Sequence, residues 1–188
     1  MKILGLDSSG IVASVAIVED ENLIAEYTVN YKKTHSQTLL PMLDELVKMT
    51  ELDLDTIDAI AVAAGPGSFT GLRIGSATAK GLGLALKKPL VEIPTVDALA
   101  YNLYDSRALI CPIMDARRSQ VYTGIYRFQE HKLVTVEAQM AVPMAEMIEK
   151  LNARGEEVVF LGDGVPVFGK NDPGEPEGSI FFCPCPCE

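Results

Sequence analysis

An apolar strand that stops at an aspartate occurs twice in this chain, and the same train of elements follows each time. The first case is Ile3 to Asp7, within a strand candidate spanning Lys2 to Ser9; the second is Leu109 to Asp115. After the first come strands at Ile11 to Val18 and Leu23 to Val29, with turns at Ser8-Ser9-Gly10 and Asp20-Glu21-Asn22. After the second, Val121 to Phe128 and Leu133 to Ala138 take those places, joined at Glu130-His131-Lys132. Short strands joined by tight turns make an antiparallel meander. Each meander leads to a helix, a further apolar strand and a glycine turn: Gly65-Pro66-Gly67 in the first copy, Gly162-Asp163-Gly164 in the second. Strands alternating with helices predict an α/β layer, and the repeated order predicts two similar lobes with Asp7 and Asp115 at matching strand ends.

The first glycine turn closes the apolar run Ala59 to Ala64, and Ser68 or Thr70 is placed to cap the helix that follows. Free N–H groups at a helix start can hold an anion, and glycine lets the backbone approach closely. The spacing is neither that of a Walker A loop nor of the Rossmann fingerprint. Read from the residues alone, a plain strand-to-helix turn is the simpler reading. Asp7, beside the hydroxyls of Ser8 and Ser9, suits either a hydrated Mg²⁺ or a turn cap, and the cap is simpler.

Two helices are unusual. Gly71, Gly75, Gly81 and Gly83, with Ser76, Ala77, Ala79 and Ala85, make a helix of thin girth, and each glycine costs roughly 1 kcal/mol relative to alanine. Such a helix must be packed closely by neighbours. The earlier helix, starting near Ser36 or Thr38 so as to accommodate Pro41, has more apolar positions than one stripe needs. Leu39, Leu43, Leu46 and Val47 can face the core while Met42, Leu46 and Met49 turn elsewhere. A partner, or a wedged position inside its own domain, would cover the second face.

Apolar residues make up 48 % of the 188 residues and charged ones 22 %, enough for a real core. Sixteen basic against 26 acidic residues give a net charge of −10, which argues against gripping nucleic acid alone. Ile3 to Leu6 is too short for a signal peptide, and no stretch approaches the ~20 apolar residues of a membrane span. A cytoplasmic location is expected. Cys111 stands alone in the body, and Cys183, Cys185 and Cys187 alternate with prolines at a spacing unlike the usual zinc sites. An irregular tail is expected there.

Catalytic groups are sparse. There is no Gly-x-Ser-x-Gly elbow, Cys111 has no evident histidine partner, and His131 falls in a turn. A peptidase role therefore lacks a nucleophile, a base and a metal.

Asp7-Ser8-Ser9, the run Gly65-Pro66-Gly67-Ser68-Phe69-Thr70-Gly71-Leu72-Arg73-Ile74-Gly75, Asp115-Ala116-Arg117-Arg118 and Gly162-Asp163-Gly164 together resemble the TsaB (YeaZ) family, over roughly Met1 to Val167. The resemblance implies the duplicated actin–hexokinase-like ATPase fold, an α/β architecture of two lobes. It also implies a non-catalytic partner of the TsaD transferase, which with the ATPase TsaE installs threonylcarbamoyl on a tRNA adenosine beside the anticodon. TsaD-like enzymes carry a His-x-x-x-His pair on the early helix; here His35 is followed by Leu39. ATP and metal are accordingly expected on the partner subunits, with no cofactor of the chain's own. Asp7, Ser8, Gly65, Gly67, Gly162 and Gly164 stand as vestigial phosphate-loop positions.

The family uses the two helices for both a homodimer and the TsaD contact, so Leu39, Met42, Leu43 and Leu46 on one, with Gly71, Leu72, Gly75 and Ala79 on the other, are the expected interface. Neither direct nucleic-acid binding by the chain alone nor a membrane partner is expected. Family members continue through another helix and a final segment where this chain has its Gly/Pro/Cys tail. The expected organisation is a first lobe at 1–106, a truncated second lobe at 107–167 and an irregular tail at 168–188. The alternative reading is a stand-alone small-molecule kinase of the same fold.

Overall fold

The structure, a computed structural model, describes residues 1–31, 35–168 and 180–182. The chain divides into two units, Met1–Thr95 and Val96–Glu188.

In the first unit, strands β1 (Lys2–Asp7), β2 (Ala13–Glu19) and β3 (Asn22–Val29) form the meander. Helix α1 (His35–Thr50) follows, then strand β4 (Ala59–Gly65), helix α2 (Phe69–Leu86) and strand β5 (Leu90–Pro94). The strand order is β3-β2-β1-β4-β5. β1 pairs antiparallel with β2 and parallel with β4, because a short turn can only reverse the chain whereas α1 carries it back to start again. The core is one cluster in which Leu4, Leu6, Val15, Ile17, Ile60 and Val62 of the sheet meet α1 and Ala79 of α2.

The second unit repeats this plan. Helix α3 (Thr95–Tyr101) leads to strands β6 (Leu109–Asp115), β7 (Gln120–Gln129) and β8 (Lys132–Pro143). Helix α4 (Met144–Arg154), strand β9 (Val158–Leu161), the short helix α5 (Val165–Phe168) and strand β10 (Ile180–Phe182) complete it. Its sheet order is β10-β9-β6-β7-β8, with β6 antiparallel to β7 and parallel to β9. This is the first unit's topology again, so Asp7 and Asp115 end equivalent central strands. Met144, Met147, Ile148 and Leu151 of α4 are buried, three or four positions apart, and pack against Leu109, Cys111, Ile125 and Phe160.

The division falls after Thr95 rather than at 106/107. Val96 and Ala100 of α3 are buried with Ile110, Met114, Tyr126 and Leu161, and the Tyr126 hydroxyl donates to Asp97 at 2.6 Å. That packing places the helix with the sheet that follows it. The stretch expected to be irregular from 168 onward contributes a strand: Ile180–Phe182 pairs parallel with Val158–Phe160, giving the second sheet five strands like the first. The Cys183–Cys187 run lies outside the described residues. No described helix is long and apolar enough to cross a membrane.

Candidate functional site

The first glycine turn and the β1–β2 turn interlock. Asp7 caps its own turn, Oδ1 accepting the Ser9 N–H at 2.7 Å. Ser8 is buried and its hydroxyl donates to the Gly71 carbonyl of α2 at 2.9 Å. The Ser9 carbonyl accepts the Ser68 N–H at 2.6 Å, and Ser68 Oγ caps the helix by accepting the Gly71 N–H at 3.2 Å. Of the two cap candidates, Ser68 takes the role. A Cβ on Gly67 or Gly71 would overlap the Ser9 or Ser8 carbonyl, and one on Gly75 would sit 2.6 Å from Ser8 Oγ. The glycines therefore let α2 seat directly on this turn.

Asp7, Ser8 and Gly67 are brought together, with the Ser8 and Ser9 carbonyls turned toward the start of α2. Gly65 stands aside: its backbone is left-handed at φ +105°, and its N–H donates to Thr95 Oγ1 at 3.1 Å. Thr95 is buried, and a threonine that reads from the sequence as a helix cap gives no sign of a partner 30 positions away.

The second glycine turn has the same backbone twist at its first residue, with Gly162 also at φ +105°. Gly164 N–H donates to the Ile113 carbonyl at 3.0 Å, and a Cβ on Gly164 would lie 2.9 Å from that oxygen. Asp163 reaches across to accept the Asp115 N–H at 3.2 Å, and burial pushes its carboxyl above the usual range. Asp115 in turn accepts the Arg117 N–H at 2.8 Å, with the Arg117 guanidinium 3.5 Å from its other oxygen. Where Ser8 and Ser9 are buried in the first turn, this one exposes its side chains: Arg117 is 87 % exposed and Arg118 is exposed too.

Neither histidine is gathered with other ligands. His35 Nε2 lies 2.9 Å from the Gly10 carbonyl, tying α1 to the β1–β2 turn, and His131 Nδ1 lies 3.0 Å from Asp105 on the surface. Among the described residues no three His, Cys, Asp or Glu side chains converge as a metal-ligand set. Cys111 is fully buried against Thr123, and burial pushes its thiol up to about 12, so it is held protonated.

The expected interface residues lie inside the unit. Leu39, Met42, Leu43 and Leu46 are all buried in the first core, and Gly71, Gly75 and Ala79 face the sheet and the Ser8–Ser9 turn. The buried positions of α1 form one broad face that serves its own core, against β2, β3 and α2, whereas Met49 is exposed. The apolar side chains that do face outward are Leu40 and Met49 of α1 and Phe69 and Leu84 of α2, the last 83 % exposed. Leu72 is half-buried and lines a cavity of about 540 Å³ between α2, β4 and β5, with Arg73, Lys80 and Glu92 at its rim.

A five-stranded sheet with a three-strand meander and two parallel strands, duplicated with one glycine turn per copy, defines the actin–hexokinase-like class. The solved structure of an ethanolamine utilization protein, EutJ from Carboxydothermus hydrogenoformans, shares this fold (TM-score 0.54, 14 % identity, 97 % of this chain and 84 % of that one). The family described as "TsaD: tRNA N6-adenosine threonylcarbamoyltransferase" matches residues 22–171. The chain is 37 % identical over 162 residues to the tRNA threonylcarbamoyladenosine biosynthesis protein TsaB of Bacillus subtilis, covering 86 % of this chain and 71 % of that protein. It superposes on a Pseudomonas aeruginosa protein with similarity to peptidase YeaZ with a TM-score of 0.83 and 26 % identity, over 98 % of this chain and 84 % of the other. The chain belongs to the TsaB (YeaZ) family.

Proposed function

We propose that this chain takes part in threonylcarbamoyladenosine biosynthesis on tRNA as a non-catalytic subunit that binds and activates a TsaD-type transferase. The observation that carries the non-catalytic part is the Ser8–Ser9 turn seated on α2. The Ser8 and Ser9 carbonyls lie against the start of α2, where a helix N-terminus would otherwise offer free N–H groups to an anion. The same arrangement speaks against a stand-alone kinase. ATP and metal then belong to the partner subunits, TsaD and the ATPase TsaE.

The outward surface of α1 and α2 is the proposed contact. Leu40, Met49, Phe69 and Leu84 are exposed on these helices, and Gly81 is exposed with nothing within 4 Å of where a Cβ would stand. An exposed mid-helix glycine costs about 1 kcal/mol relative to alanine, which a closely approaching partner backbone would account for. Self-association through this surface would compete with the transferase, and the assembly would work in the cytoplasm where tRNA is modified.

Nucleoside mass spectrometry of tRNA from cells depleted of the chain tests this. Loss of threonylcarbamoyladenosine, restored by re-expressing the chain, supports the reading. An unchanged level overturns it.

A further inference from the structure

The two units differ most where they correspond most closely. In the first, the β1–β2 turn is uncharged, and its Ser8 and Ser9 are buried against α2. In the second, the equivalent β6–β7 turn carries Arg117 and Arg118, both exposed. Arg117, Arg118 and Ser119 have φ of 69°, 53° and 58°, so three successive residues with side chains occupy the left-handed region. L-residues visit it singly, and turns that need it are ordinarily filled by glycine or asparagine. Two arginines stand here on an unfavourable backbone, and strained positions of this kind cluster at functional sites.

The turn is held from several sides. Ala116 donates to the Gln120 carbonyl and Gln120 to the Arg117 carbonyl, each at 3.0 Å, while the Ser119 carbonyl accepts from Met144 at 3.3 Å. Asp115 accepts the Arg117 N–H and stands beside its guanidinium. Among the described residues Arg118 enters no ion pair. Two guanidinium forks on a braced turn suit phosphate oxygens, which they can meet in a bidentate manner. The rest of a chain with net charge −10 repels a polyanion, so one cationic projection selects where a nucleic-acid backbone can approach.

We propose that the Arg117–Arg118 turn contacts phosphodiester oxygens of the tRNA within the transferase complex; this rests on the reading given under Proposed function. The chain alone remains a weak binder because its net charge opposes association. Free nucleotide carries similar oxygens, and the test separates the two sources.

The test uses the complex of the full chain with its TsaD-type transferase, with tRNA binding followed by fluorescence anisotropy across a salt series. The double variant Arg117→Ala/Arg118→Ala is expected to bind at least about tenfold more weakly. Its log–log salt slope should be shallower by about two, near 0.9 for each lost phosphate contact. Arg118→Gly should weaken tRNA binding while raising the chain's melting temperature, since glycine relieves the left-handed backbone. A merely structural arginine would not give that opposed pair of changes. Millimolar ATP should leave the difference between wild type and double variant intact; if ATP abolishes it, the turn takes nucleotide and the proposal fails. A variant that no longer joins the transferase would assign the turn to that interface, and this too overturns the proposal. Unchanged affinity and slope in an intact complex overturn this inference alone, whereas a wild-type complex with no affinity for tRNA overturns the functional reading as well.

Discussion

Ser8 and Gly75 meet so closely that a Cβ on the glycine would lie 2.6 Å from the serine hydroxyl. That hydroxyl is already committed to the Gly71 carbonyl one turn earlier on the same helix. The contact explains why α2 tolerates glycines that weaken it as an isolated helix: they are the positions through which it reaches the β1–β2 turn.

Gly75→Ala is therefore expected to destabilise the chain. Overpacking of a tight contact costs about 1–3 kcal/mol, against which alanine returns about 1 kcal/mol of helix propensity. Urea unfolding measures the net loss. Adding Ser8→Gly to Gly75→Ala should recover part of it, because the clashing atoms are gone. An alanine variant as stable as wild type, with no coupling to Ser8, would show that the contact is loose.

Substitutions on α1 and α2 should separate core from surface. Met42 is buried in the first core, so Met42→Asp places a charge there without a partner and is expected to unfold the unit. Leu40→Asp and Leu84→Asp change exposed positions and should leave circular dichroism and melting nearly unchanged. In a pull-down with the transferase, those two variants should bind at least tenfold more weakly, equivalent to about 1.4 kcal/mol. Normal binding by both would move the interface away from this surface.

Much of the architecture was legible because the sequence states it twice. The repeated strand ending in aspartate, the meander and the glycine turn fixed two matching sheets, and the cap of α2 was narrowed to Ser68 or Thr70. That most of the expected interface residues are buried within the unit was not legible, for a physical reason. Periodicity shows that Leu39, Met42, Leu43 and Leu46 are apolar, but not that β2, β3 and α2 together cover them. The Thr95–Gly65 bond and the left-handed run at Arg117–Ser119 were hidden as well. One joins residues far apart in the chain, and the other uses residue types that carry no turn signal.

Glu137 on β8 accepts from Arg154 at 2.7 Å and from Lys150 at 3.3 Å, both on α4, and its carboxyl is held below the usual range by these partners, Arg154 foremost. A depressed folded pKa stabilises above the ordinary value of 4.5, and the benefit is lost as pH falls through the folded value. Because the groups are partly exposed, Glu137→Gln should remove only about 0.2–1 kcal/mol at pH 7. Thermal melts of wild type and variant should converge in acid and draw closer in high salt. A gap that persists at low pH would mean the side chain stabilises by packing rather than by charge.

Asp163 should behave with the opposite sign. Burial raises its carboxyl above the ordinary value of 3.8, with the neighbouring Asp115 charge adding to the effect and Arg117 opposing it. Between 3.8 and the folded value the folded chain binds more protons than the unfolded one, so stability falls as pH rises through that window. At neutral pH the whole penalty is present. Asp163→Asn removes the charge yet keeps an oxygen to accept the Asp115 N–H, now 3.2 Å away. The asparagine variant is expected to melt higher than wild type at pH 7, with the gain vanishing in acid once the native aspartate is itself protonated. A lower melting temperature at pH 7 would mean that the Asp163 charge is stabilised by groups around Asp115 and Arg117 more than burial opposes it.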